Sequence, residues 1–490
     1  MKSLLPLSLA FLISSLGFSA QRPNIVFILA DDLGYGEVGC YGQEKIKTPH
    51  LDQLARDGMR FTRHYTGAAV CAPARCTLLT GKHLGNAEIR SNGDSKNGRP
   101  FPGQWPISDE AVTIAEALKT VGYTTGGFGK WGLGPTDSTG SPMTQGFDRF
   151  YGYNCQRNAH SFYPPFLDDD LSIDPINKNP VPGHARQPKG EVLADTYRAD
   201  VYAPDRILEE ALEFLDDNKE KPLFLYLPFV EPHVSMHPPE AWIEKYPKEW
   251  DDKNGPYRGQ NGYIPHPRPR AGYAAMISDL DEHIGSVLAR LKQHGLDDNT
   301  IVIFTSDNGP THPSRDPKFH VGGVDAKFFN SSAGLRNWKG SLYEGGIRVP
   351  TIVRWPGHTK AESVTDAPSY FPDWFPTLCT IAGAEKPDGL DGTDLTPALK
   401  GKKFERTKPM VWEFHGYGLQ LAVTDFPWKA IRQQVKKGKS DWELYNLKDD
   451  PNEKNDLAKA HPETLKRLAE VSKNDRTQSE RNRVPIYDKR

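Results

Sequence analysis

Residues 24–30 read NIVFILA, and the run passes without a break into Asp31 and Asp32. A continuous stretch of branched apolar residues, rather than an alternating one, predicts a strand buried on both faces, as at the centre of a parallel sheet. Two later stretches repeat the pattern. LFLYLPF at 223–229 leads to Glu231, Pro232 and His233, and TIVIFT at 300–305 leads to Ser306, Asp307 and Asn308. Segments with helical spacing lie between the runs, at 109–118, 205–215 and 273–291. Strand and helix in alternation predict an α/β fold: a large, doubly wound, mostly parallel sheet with helices on both faces. The carboxyl ends of such strands converge on one crevice, so the polar residues after each run are candidates for a shared site.

The texture changes around residues 395–406, which are Lys-rich. Beyond them MVWEFHG, LAVTDFPWKAIRQ and WELYNLKDDPNEKND read as short strands with turns, then a helix. This predicts an α/β domain over 21–405 and a small C-terminal α+β domain with an antiparallel sheet over 406–490, packed against the crevice. A Pro- and Gly-rich stretch at 153–190 carries aromatics and basic residues; an ordered surface excursion and a plain connecting loop both fit it.

A quarter of the 490 residues are charged, yet the formal net charge is only -2. No basic field gathers nucleic acid or anionic lipid, so any anion binding is local. The first twenty residues, MKSLLPLSLAFLISSLGFSA, place Lys2 before an apolar run and the small Ser19 and Ala20 at its end, the pattern of a cleaved signal peptide. The expected protein is secreted or periplasmic, with no transmembrane segment after removal of residues 1–20. Five cysteines in so long a chain are too few for a disulfide framework.

Asp31, Asp32, Asp307 and the side-chain carbonyl of Asn308 would gather at one sheet edge. Three carboxylates in one place repel strongly unless a cation is bound. All-oxygen ligation selects calcium or magnesium over zinc, and several protein ligands favour a single calcium, because magnesium keeps its waters. Elsewhere stands the string Cys71-Ala-Pro-Ala-Arg75-Cys76, followed by Thr80-Gly81.

That C-x-P-x-R string, with Asp31-Asp32, the Thr305–Gly309 block and Lys339-Gly340-Ser-Leu-Tyr-Glu344, resembles the type I sulfatases of the alkaline-phosphatase-like superfamily over nearly the whole mature chain. The resemblance implies that Cys71 is oxidised to formylglycine by a formylglycine-generating or anaerobic maturation enzyme, and that residue 71 sits beside the metal. It implies that one hydroxyl of the hydrated aldehyde attacks sulfur, losing its proton toward Asp307, and that the other later expels sulfate. Arg75 would hold that group, Lys130 and Lys339 would contact sulfate oxygens, and His233 would stand near the leaving oxygen. Many members carry histidine where this chain has Gly132. A glycan-directed, arylsulfatase-like subgroup is similar in having glycine there and in the Ala159-His160-Ser-Phe-Tyr163-Pro164 string, which makes His160 and Arg157, with Lys130 and Lys339, the expected substrate-binding residues. Tyr153, Gln156 and the Trp412–His415 segment suit a sugar or simple packing. The predicted activity is hydrolysis of a sulfate ester, on a sulfated glycan. The alternatives are a phosphate or phosphonate ester hydrolase, against which the all-oxygen cluster speaks, and a non-catalytic binder of sulfated glycans, which has no use for the Cys71 signature.

Overall fold

The computed structural model describes residues 22–95, 103–253, 255–314, 318–438 and 440–488. The proposed signal peptide at 1–20 lies outside them. Five strands form a parallel core in the order Thr300–Ser306, Asn24–Ala30, Leu223–Pro228, Thr124–Lys130 and Arg149–Tyr153. Antiparallel strands flank it: Thr351–Arg354 and Met59–Phe61 on one side, Phe166–Asp169 and Ser172–Pro175 on the other. Ser363–Thr365 completes ten strands.

The first strand shows why its sequence is uninterrupted. Ile25, Phe27 and Leu29 join one core cluster, and Val26, Ile28 and Ala30 join the other. Helices Cys71–Thr80, Ile114–Lys119 and Trp374–Ala382 pack on the first side; Pro49–Asp57, Ala203–Asn218 and Pro269–Gln293 pack on the second. Both faces are therefore dry, and a polar residue within the run would have had nowhere to go. The segment at 109–118 is helical only from Ile114. Thr113 caps it by accepting from the Glu116 backbone N–H while the Glu116 side chain accepts from the Thr113 N–H, and that reciprocal cap sets the start later than apolar spacing suggested.

The stretch at 153–190 is an ordered excursion. It contains the turn Asn158–His160 and two strands that extend the sheet edge. Beyond residue 405 lies a four-stranded antiparallel sheet, Met410–Phe414, Gln420–Asp425, Trp428–Arg432 and Trp442–Asn446, with helix Pro462–Asn474 on it. Alternation along its first strand assigns the faces: Met410, Trp412 and Phe414 enter the main core, and Val411 packs toward the helix with Leu468. Gln420 Nε2 donates to the Gly340 carbonyl at 2.7 Å, tying this sheet to the crevice rim.

Candidate active site

The carboxyl ends of the parallel strands deliver the site. Asp31 and Asp32 follow the first strand directly, Asp307 and Asn308 follow Thr300–Ser306, and Lys130 is the last residue of Thr124–Lys130. The backbone N–H of Asp32 donates to Asp307 Oδ1 at 3.1 Å. Asp32 adopts φ +66°, a left-handed conformation that aspartate tolerates better than most residues and that turns its carboxylate back over the strand end. Asn308 Nδ2 donates to Asp32 Oδ1 at 2.7 Å. All four side chains are buried.

Cys71 reaches the same point from another direction, as the first residue of a ten-residue helix with every position buried. Its Sγ lies 3.3 Å from Asp31 Oδ1 and 3.5 Å from Lys339 Nζ. Asn92 Oδ1 accepts from the Ala72 backbone N–H at 3.1 Å and steadies the helix start. One turn on, Arg75 Nη2 donates to Asp307 Oδ2 at 2.9 Å and lies 3.5 Å from Asp31 Oδ2, while Nη1 donates to the Lys130 carbonyl. Lys130 Nζ pairs with Asp31 Oδ2, and Lys339 Nζ with Asp32 Oδ1 at 2.6 Å. His233 Nε2 stands 3.7 Å from Asp32 Oδ2.

Charge tunes these groups. Burial alone would push the Asp31 carboxyl up, but Lys130, His233, Arg75 and Lys339 together hold it well below the usual range. Burial and the neighbouring Asp31 push Asp307 up. Burial raises the Cys71 thiol far from thiolate formation, with the Asp31 charge adding to it, so an unmodified cysteine here is a poor nucleophile. The side chains fit a hard cation. Asn308 Oδ1 is buried without a hydrogen-bond partner, and the three carboxylates beside it make an all-oxygen donor set. Arg75, Lys130 and Lys339 already offset those carboxylates, +3 against -3, so a divalent ion makes the pocket net positive, as an anionic ester requires.

A cavity of about 250 Å³ opens above this cluster, and Asp32, His160, His233 and Lys339 lie in its wall. His160 stacks on His233 with ring centroids 5.3 Å apart and planes 14° apart. Arg157, three residues earlier, is exposed and outside that wall, though its charge reaches His184. Tyr263, His312 and Tyr417 are among the further wall residues that were not singled out from the sequence; they sit in irregular segments. Phe414 also lines it, whereas Trp412 is a core residue whose Nε1 donates to the Thr66 carbonyl at 3.0 Å, and Tyr153 is buried with its hydroxyl on the Ser161 carbonyl.

Gly132 has a spatial explanation. A Cβ there would lie 2.2 Å from Gln156 Nε2, and φ is +115°, a region that favours glycine. Gln156 fills the space and donates to the Trp131 carbonyl at 3.1 Å. The loop that carries His160 thus also plugs the position where a histidine would otherwise project.

The sulfatase family profile matches residues 23–384, about three quarters of the chain, and holds every residue of this cluster. The chain belongs to the sulfatase family. A second profile, the C-terminal region of N-sulphoglucosamine sulphohydrolase, matches residues 337–478 of this sulfatase. It is 34% identical to human arylsulfatase A over 399 residues, covering 78% of this chain and 68% of that one. It is 29% identical to the N-acetylgalactosamine-6-O-sulfatase of Bacteroides thetaiotaomicron, covering 94% of each. Among solved structures it resembles Ps i-CgsB in complex with k-i-k-neocarrahexaose, with a TM-score of 0.73, 26% identity and 95% of each chain covered. The sulfatase is accordingly a sulfuric ester hydrolase. Among the described residues, no helix is long and apolar enough to cross a membrane.

Proposed function

We propose that this sulfatase removes sulfate from a sulfated carbohydrate outside the cytoplasm, using formylglycine made from Cys71 and one calcium ion held by Asp31, Asp32, Asp307 and Asn308 beside residue 71. The observation that carries the reading is the position of Cys71, 3.3 Å from Asp31 at the start of a buried helix, below a cavity walled by lysine and histidine. The two groups, when present, supply an oxygen nucleophile that a buried thiol lacks and positive charge opposite the sulfuryl oxygens.

The chain's own residues account for the rest. Arg75, fixed between Asp307, Asp31 and the Lys130 carbonyl, holds the position-71 side chain in place. Asp307 is the carboxylate that takes a proton from that side chain. Lys130 and Lys339 are compact charges that follow the sulfuryl oxygens as their charge shifts. His233 exchanges a proton at the leaving oxygen through Nε2: its Nδ1 proton is held by the Val234 carbonyl, so Nε2 is bare until it takes up a proton, which it can then deliver. His160, Tyr263 and Tyr417 offer hydrogen-bonding and aromatic surface suited to a sugar ring, and the exposed Arg157, outside that wall, would meet a more distant part of the glycan. The leader-like residues 1–20 support export to the periplasm or beyond, and maturation of Cys71 calls for a partner enzyme that oxidises it.

Two measurements test this. Sulfate release from an aryl sulfate and a panel of sulfated sugars is expected; release of phosphate or phosphonate alone contradicts it. Chelation is expected to abolish activity and lower stability by about 2.7 kcal/mol relative to calcium at about 100-fold its Kd, with calcium restoring both better than magnesium. Full activity after exhaustive chelation would remove calcium from the account.

A further inference from the structure

The stacked histidines in the cavity wall differ in a way that their neighbours dictate. His184 Nδ1 lies 3.0 Å from the backbone nitrogen of Tyr263. A backbone N–H can only donate, so His184 Nδ1 is the acceptor and the neutral ring keeps its proton on Nε2. That Nε2 is 3.0 Å from His160 Nδ1. With the donor fixed on His184, His160 Nδ1 must accept, and the His160 proton is left on Nε2. His233, stacked against it, is in the opposite state: its Nδ1 meets the Val234 carbonyl, which can only accept, so its proton sits on Nδ1 and its Nε2 is bare.

The surroundings hold this arrangement. A Cβ at Gly183 would come within 2.7 Å of the His160 Cβ and carbonyl oxygen, so only glycine lets the two segments approach. Ser235 Oγ fastens Gly183 by donating to its carbonyl at 2.6 Å. The Tyr263 ring packs 5.0 Å from His160 and 4.5 Å from His184, centroid to centroid. Burial, with His233 and Lys130 nearby, lowers the His160 pKa well below the ordinary value, and burial lowers that of His184, so both rings stay neutral.

We infer that His184 is a positioning residue that locks neutral His160 in its Nε2–H form, so that His160 offers a permanent hydrogen-bond donor to an oxygen of the ester in the cavity. The role in the reaction rests on the sulfate-ester reading; the proton position does not. Adjacent parallel rings thereby divide the work. His160 donates without being charged, and His233 keeps a bare nitrogen for proton transfer.

Nitrogen-15 spectra of histidine-labelled full-length protein read the proton position directly. In the parent, His160, assigned by its loss in His160→Gln, is expected to show a protonated Nε2 and an unprotonated Nδ1. His184→Phe keeps a ring against Tyr263 but removes the N–H; the single form should give way to a mixture, with kcat/KM for the best sulfate ester falling about five- to tenfold, the size of one hydrogen bond. His184→Gln, which returns an N–H near the same place, should restore both. In a His160→Gln background His184→Phe should add no further loss. A parent His160 protonated on Nδ1, or a His184→Phe protein that keeps both signature and rate, overturns the inference. An intact signature in a protein that releases no sulfate would instead count against the reading of the ester.

Discussion

Cys71→Ala is expected to reduce sulfate release by about 10⁴-fold or more, the loss typical when a covalent nucleophile is removed and only binding and electrostatics remain. No neighbour can substitute. The charged neighbours are committed to one another: Arg75 to Asp307, Lys130 to Asp31 and Lys339 to Asp32. The fold should survive, because deleting one buried sulfur at a helix start costs only about 1 kcal/mol. The check is a parallel assay of parent and variant at matched secondary structure and melting temperature. A variant within tenfold of the parent would remove Cys71 from the chemistry, and a variant that still binds sulfated sugar without turnover would show that the cavity recognises substrate independently of residue 71.

The second large effect falls on stability. Lys429 is fully buried between Glu344 and Glu453, with Nζ 2.9 Å from Glu344 Oε1 and 2.8 Å from Glu453 Oε1. Glu344 opens a short helix next to the crevice, whereas Lys429 lies in the C-terminal sheet, so the group joins the two parts of the molecule. Tyr65 Oη donates to Glu344 Oε2 at 2.9 Å, and the Glu344 backbone N–H donates to Glu453 Oε2 at 2.7 Å. Burial already pushes the Glu453 carboxyl up to about 7, with Lys429 opposing it. Lys429→Met strands the buried Glu453 carboxylate and leaves Glu344 only Arg348 at 3.6 Å as a cation, and a loss of about 3–5 kcal/mol is expected in denaturant unfolding. Adding Glu453→Gln should recover part of it, because one stranded charge is gone. A loss below 1 kcal/mol would show that the group contributes little to holding the sheet.

Legibility followed burial pattern. The first strand was readable because its two faces enter two different cores, which leaves a continuous apolar run ending in the site residues themselves. The same logic brought Asp307, Asn308 and His233 to attention. The helix that carries Cys71 gave no periodic signal, since CAPARCTLLT is buried all round and holds a proline in its first turn. Its residue 71 was found from motif chemistry alone. The edge strands Phe166–Asp169 and Ser172–Pro175 escaped notice because FLDD and SIDP carry aspartates and a proline, which an edge tolerates and a central strand does not.

The cavity wall was the least legible part. Tyr263, His312 and Tyr417 come from loops whose meeting depends on the finished fold, as does His184 behind His160. Gly132 was noticed as a departure, but its cause, the Gln156 side chain lying across it, is a tertiary fact with no local sequence mark. For Trp412, where sugar contact and packing were both open, the fold decides for packing: the ring fills the core.

The central claim is that residue 71 acts as an oxygen nucleophile made from cysteine. Mass spectrometry of the tryptic peptide spanning 64–75, taken from a preparation with measured sulfatase activity, tests it most directly. The account predicts a species about 18 Da lighter than the thiol peptide, in proportion to the specific activity, as oxidation of a cysteine side chain to an aldehyde requires. A fully active preparation in which that peptide carries only the unmodified thiol would contradict it.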